Sequence, residues 1–125
     1  MNVKSLVELL HATIFTTNVY DESQDIKYAF SGDLMSDVLM VLRTAPSEFF
    51  EYGALITGNV TMQSVRTAEM LDFPIIILTR DKTPSKQVIA QAEESRIMLI
   101  GTRDVMFSVS GKLYEHKIKG FTDIF

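Results

Sequence analysis

The chain has 125 residues, of which 46% are apolar and 22% charged, with a net charge of −4 and no cysteine. That length and balance suit one globular unit with its own core rather than a disordered segment. Disulfides, thiolate nucleophiles and Cys-ligated zinc or iron–sulfur centres are excluded, and an acidic chain without a basic stripe lacks the surface that neutralises nucleic acid phosphates.

Val3, Leu6, Val7 and Leu10 recur at helical spacing opposite Lys4, Ser5 and Glu8, which predicts a first helix over 3–11. This amphipathic opening, interrupted by Glu8 and His11, is not signal-peptide-like. No apolar run approaches the ~20 residues that span a bilayer, so the expectation is a cytoplasmic protein without a membrane partner. The β-branched and aromatic stretch 13–17 predicts a strand. After a polar loop, Ile26, Tyr28 and Phe30 alternate with Lys27 and Ala29, as in a second strand.

Residues 33–43 predict a helix nearly encircled by Leu34, Met35, Val38, Leu39, Met40, Val41 and Leu42. A helix apolar on most sides packs against more than one layer, or against a second subunit. Residues 54–57 form a short buried strand, and 61–71 a helix with Val65, Ala68 and Leu71 inward. Pro74-Ile75-Ile76-Ile77-Leu78 has the continuous apolarity of a central parallel strand covered on both faces. Thr83 and Pro84 then suit the cap and first position of a helix, with Val88, Ile89 and Ala92 facing in. Residues 97–100 are the last strand. Thr102 or Asp104 is the expected cap of a last helix reaching about residue 115, with Met106, Val109 and Leu113 on its inner face.

This alternation predicts an α/β fold, a three-layer α/β/α sandwich around a mainly parallel sheet of about five strands. The junctions 31–33, 58–59, 80–84 and 101–104 then gather along the carboxyl edge of the sheet, where open α/β sheets bind ligands. Free amides at helix starts attract anions, and Arg80, Lys82 and Arg103 add positive charge there. Gly32, Asp33, Gly58, Asn59, Lys82, Thr83, Thr102 and Arg103 are therefore the candidate ligand-binding residues, for a small phosphorylated or nucleotide-like effector. The competing reading is ordinary helix capping with solvated charges.

No residue set for catalysis stands out. The phosphate-binding string Gly-x-x-x-x-Gly-Lys-Ser/Thr is absent, and Ser110-Gly111-Lys112 lacks its first glycine. Gly-x-Ser-x-Gly is absent too. Asp33 and Asp37, one helical turn apart with Ser36, could hold a divalent cation, but a cap and a charge at the positive helix end explain them better. His11 and His116 suit helix C-termini. No cofactor, metal site or catalytic residue is expected. Phe49, Phe50 and Tyr52, and the terminal Phe121, Ile124 and Phe125, are apolar clusters that either cover the sheet edge or meet a partner. A homodimer through an apolar helix face, with or without the tail, is expected.

Two segments resemble stand-alone DRTGG-domain proteins. One is residues 28–39, in which Gly32-Asp33-Leu34-Met35-Ser36-Asp37-Val38 is similar to the family's Gly-Asp-Leu-Leu-Ser-Asp-Val; the other, 53–114, carries Ala-Leu-Ile-Thr-Gly at 54–58, Ile-Ile-Ile-Leu-Thr at 75–79 and Pro-Ser at 84–85. The name-giving Asp-Arg-Thr-Gly-Gly string is absent, and Arg80-Asp81-Lys82-Thr83 stands where many relatives carry glycines. The resemblance implies that residues 1–125 form a single DRTGG-like α/β/α domain, related to the N-terminal domain of HPr kinase. It also implies a dimeric regulatory or protein-interaction module rather than a catalyst. The alternatives are a small phosphate- or metal-using enzyme built on Asp33, Asp37 and Lys82, and a purely structural dimerisation domain.

Overall fold

In the computed structural model, which describes residues 1–125, the first helix α1 (Val3–Leu10) leads through β1 (Thr13–Ile14) to β2 (Tyr28–Ser31). The chain continues through α2 (Met35–Val41), α3 (Ser47–Glu51), β3 (Gly53–Thr57), α4 (Met62–Leu71), β4 (Ile75–Leu78), α5 (Lys86–Glu94), β5 (Met98–Gly101), α6 (Met106–Glu115) and α7 (Phe121–Ile124). The five strands form one sheet in the order β1-β5-β4-β3-β2. Strands β2 to β5 are parallel and β1 is antiparallel to β5. No helix is long and apolar enough to cross a membrane.

Because side chains alternate across a strand, each central strand supplies both faces. Leu55, Ile76, Leu78 and Leu99 point into one core with Val38 of α2, Phe49 of α3, Val65 and Ala68 of α4 and Val88 and Ala92 of α5. Ala54, Ile56, Ile75, Ile77, Met98 and Ile100 point into the other, with Val3, Leu6 and Leu10 of α1 and Val109 and Leu113 of α6. The result is the three-layer sandwich that the alternation predicts. It also explains why β3, β4 and β5 are buried along their whole length.

Several local expectations shift. The first strand, expected over 13–17, is only Thr13 and Ile14, followed by one more backbone bond from the Phe15 amide to the Leu99 carbonyl at 2.9 Å. Beyond it Thr16 replaces backbone with side chain, its Oγ1 accepting from the Leu99 amide at 2.8 Å. Helix α1 starts at Val3 as expected and α4 one residue late, whereas α2, α5 and α6 start further along than expected. Ser85, not Thr83, caps α5 by accepting from the Val88 amide, which puts Pro84 outside the helix. The N-cap of α2 is Leu34 rather than Asp33, and that of α6 is Val105 rather than Thr102 or Asp104, both without a side-chain cap bond. Asp33 and Thr102 miss these roles because their oxygens bond elsewhere, as described below. Side-chain caps also start α1, where Asn2 accepts from the Ser5 amide, and α4, where Thr61 accepts from the Gln63 amide.

The aromatic clusters cover the β2 edge. Phe49 is fully buried, and its ring lies within 6.2 Å, centroid to centroid, of Tyr28, Phe50, Phe73, Phe121 and Phe125. Residues before α7 extend the sheet: the Ala29 amide donates to the Lys119 carbonyl and the Lys119 amide to that of Lys27. Of the two outcomes open for the tail, it folds back. Burial and the nearby Glu48 carboxylate raise the pKa of Tyr28, whose hydroxyl donates to Glu48 at 3.3 Å. Removing the hub is expected to cost about 3–5 kcal/mol in Phe49→Ala, the range for a buried phenylalanine. Urea unfolding checks this, and a loss below about 1 kcal/mol would show that the cluster does not support the edge.

Candidate functional site

The connections after β2, β3 and β4 all pass over the face that carries α2 to α5, as right-handed crossovers between neighbouring parallel strands require. The connection after β5 leads instead to α6 on the opposite face. Neighbouring strands β4 and β5 thus lead to helices on opposite faces, the kind of switch point beside which open α/β sheets bind ligands. A cleft of about 260 Å³ lies there. Asp81, Lys82 and Thr83 line it from the β4 exit, Gly101, Thr102 and Arg103 from the β5 exit, and His11, Thr13 and Phe15 from the N-terminal arm.

The β4 exit is an unusual backbone. Arg80 and Asp81 are consecutive non-glycine residues in the left-handed region, with φ of 65° and 58°. Each such residue costs of order 1 kcal/mol and needs local support. The support comes from β5: the Arg80 amide donates to the Asp104 carbonyl and the Asp81 amide to the Thr102 carbonyl, both at 2.9 Å. The chain therefore holds, with two non-glycine residues, a conformation that glycine adopts freely. Just before the turn, Thr79 Oγ1 is buried without a hydrogen-bond partner.

The β5 exit is tight as well. A Cβ on Gly101 would stand 2.6 Å from the Phe15 ring, so only glycine lets that ring close over the strand end. Thr102 is buried, and its hydroxyl donates to the Leu10 carbonyl at 2.9 Å while accepting from the Asp104 amide at 3.2 Å. It pins α1 to the turn and has no donor left for a ligand. Asp104 pairs with Lys112 of α6 at 2.7 Å. Lys82 and Arg103 have no carboxylate within 4.0 Å and remain as free cations on the cleft. His11, the left-handed C-cap of α1, joins them on its wall.

Gly32, Asp33, Gly58 and Asn59 gather at the other end of the edge, but around one another. Asp33 Oδ1 accepts from the Gly58 amide at 2.6 Å and from the Thr57 hydroxyl at 3.4 Å. The Asn59 amide donates to Thr57 Oγ1, and Asn59 Oδ1 accepts from the amide and hydroxyl of Thr61. The Gly32 amide continues the ladder to the Ile56 carbonyl. The anion at the Gly58 amide is the chain's own carboxylate. The Arg80 guanidinium lies over Gly58, where a Cβ would stand 2.6 Å from Nη2.

The eight candidate residues thus divide. Lys82, Thr83, Thr102 and Arg103 share a cleft, while Gly32, Asp33, Gly58 and Asn59 form a self-satisfied knot. Asp33, Asp37 and Lys82 share no hydrogen bond or ion pair. No cluster of three or more His, Asp or Glu residues capable of holding a metal is present. Sequence reasoning missed His11, Thr13 and Phe15 as cleft residues, because nothing local says that β1 lies beside β5. It also missed the largest cavity, about 460 Å³ between α2, α3 and α4. The signal for α3 was present in Pro46 followed by Ser47 and Glu48, a plausible helix start.

No family model matches the chain, and no curated protein matches it. Among solved structures, it is similar to the CBS and DRTGG domains of the regulatory region of Clostridium perfringens pyrophosphatase, crystallised with the activator diadenosine tetraphosphate. The TM-score is 0.68 at 19% identity, over 90% of this chain and 45% of that one. The likeness establishes a DRTGG-like fold, and the chain spans less than half the length of that neighbour.

Asp33→Ala is expected to leave the buried Gly58 amide without an acceptor and to cost about 1–3 kcal/mol, whereas Asp33→Asn, which can still accept, recovers most of that. Hydrogen exchange at Gly58 together with urea unfolding checks this; equal losses in both variants would point to charge rather than the acceptor.

Proposed function

We propose that this chain is a non-catalytic regulatory module that binds a small phosphorylated or nucleotide-like effector in the β4–β5 cleft. In this reading residues 1–125 act as one DRTGG-like domain, cytoplasmic and homodimeric, that passes the state of the cleft to a protein partner. The observation that carries it is the convergence of two unpaired cations, Lys82 and Arg103, from separate turns onto one crevice.

Cations held without a carboxylate partner pair readily with phosphate oxygens, and charge-assisted bonds are about twice as strong as neutral ones. Phe15 offers an apolar wall on which a base or sugar can rest. Thr83 supplies a hydroxyl at the exposed lip. The kinship of fold with a regulatory region that binds a nucleotide activator supports the same reading. A catalytic reading has less support, because the carboxylate of Asp33 is engaged by Gly58, and Asp37 sits in the first turn of α2 on a different element from Lys82.

Calorimetric titration of the intact chain with ATP, ADP, AMP, diadenosine tetraphosphate and inorganic phosphate is the test. At least one nucleotide is expected to bind, and Lys82→Ala combined with Arg103→Ala to weaken it by about 10-fold or more. Affinity is expected to fall as salt rises, since both cations are near the surface. Absence of heat from every compound, or affinity unchanged in the double variant, would overturn the reading.

A further inference from the structure

The largest cavity, about 460 Å³, lies at the amino edge of the sheet, where α2, α3 and α4 end. Its volume is within the range of small-molecule sites. It reaches the core, because Leu42 and Phe50 in its lining are only 1% and 7% exposed. Leu71 adds to this apolar floor, and Met70, with its flexible thioether, stands exposed at the rim. Charges of both signs line the same space. Arg43 follows the end of α2, Glu51 is the last residue of α3, and Asp72 is the C-cap of α4. None of the three is in an ion pair within 4.0 Å, although all line one cavity. Arg43 spends Nη1 on the Met40 carbonyl at 2.6 Å and keeps its other donors free. Asp72 stands at the negative end of α4, where the helix dipole disfavours an acid, and no cation of the chain offsets it.

We propose that this cavity binds a free α-amino acid with an apolar side chain, its carboxylate on Arg43 and its ammonium on the Glu51 and Asp72 carboxylates. Charge complementarity selects the occupant. A guanidinium is a planar donor fork that matches a carboxylate. An ammonium group has three donors and no acceptor, so two carboxylates at the carbonyl end of a helix suit it. Phe50, Leu42 and Leu71 offer the side chain an apolar surface that leaves water when covered. A fatty acid would face two like charges, and a simple amine would face Arg43, both of which are repulsive. A molecule with both charges on one carbon beside an apolar body answers all three groups. The excess of carboxylate over cation also rejects phosphate, so this site differs in chemistry from the β4–β5 cleft and is independent of it.

NMR titration of the intact chain with L-leucine, L-methionine and L-phenylalanine tests this, read at the methyl groups of Ala45, Met70 and Leu71, which line the cavity. At least one amino acid is expected to give saturable shifts there. The amide of the best binder, which lacks the carboxylate, and its N-acetyl derivative, which lacks the ammonium, are each expected to bind about 10-fold or more weakly. Arg43→Ala is expected to weaken the amino acid about 10-fold without weakening the amide. Glu51→Gln combined with Asp72→Asn is expected to weaken it about 10-fold without weakening the N-acetyl derivative. All three positions are exposed, Asn tolerates the left-handed backbone at 72, and matched thermal melts confirm that each variant is folded. Absence of saturable shifts from all three amino acids at about 20 mM, or shifts confined to the β4–β5 cleft, would overturn the inference. Amide and N-acetyl derivatives that bind within about 3-fold of the parent would also overturn it, since the cavity would then read apolar contact alone.

Discussion

Burial of β4 on both faces is the constraint on which the rest of the molecule depends. Ile75 and Ile77 fill the core under α1 and α6, and Ile76 and Leu78 fill the core under α2 to α5. Each such side chain contributes roughly 1.5–3 kcal/mol on leaving water, so one short strand anchors two cores at once. A strand buried in this way needs helices above and below, and the chain changes face between α1 and α2 and again after β5. The cleft lies where the β4 and β5 exits meet the N-terminal arm, so the position of the candidate site follows from the packing of aliphatic side chains with no ligand involved.

The two ends of the carboxyl edge show how the same local material gives opposite outcomes. At β2 and β3, Asp33 reaches across to the Gly58 amide and Asn59 closes onto Thr61, which satisfies the exposed backbone internally. At β4 and β5 the backbone is satisfied by the pairing of the two turns, through Arg80 to Asp104 and Asp81 to Thr102. The side chains of Lys82 and Arg103 are then left over. Left-handed strain at Arg80 and Asp81 is tolerated because those two bonds over-determine the turn. A rigid turn carrying an unpaired cation suits recognition of an anion better than it suits proton transfer, which needs an acid and a base in contact.

The sheet edges are closed by different devices. Beside β5, the two-residue β1 and the Thr16 hydroxyl finish the ladder. Beside β2, the segment at Lys119 adds main-chain bonds, and α7 lays Phe121 and Phe125 against Phe49 and Tyr28. Unpaired edges invite association with other strands, and with both edges engaged the apolar surface that remains is helical. The tail is part of that closure, because the aromatic cluster holds it against the sheet edge.

Much of this was written into local residue order. The continuous run at 75–78 specified a doubly covered strand, the spacing of Val65 and Ala68 or Val88 and Ala92 specified which helix faces turn inward, and turn residues marked each junction, because periodicity and backbone preference are properties of short segments. Alternation of the two element types was enough for the α/β class. Cap identity was not readable at Asp33 or Thr102, since an oxygen that could cap its own helix was claimed by Gly58 or Leu10, and such competition is settled only when distant segments meet. The seating of β1 beside β5, the return of the tail onto Phe49, and the placing of His11, Thr13 and Phe15 beside Lys82 and Arg103 were decided by tertiary structure alone. Each joins residues far apart in the chain, and their meeting is fixed by which faces must be buried together.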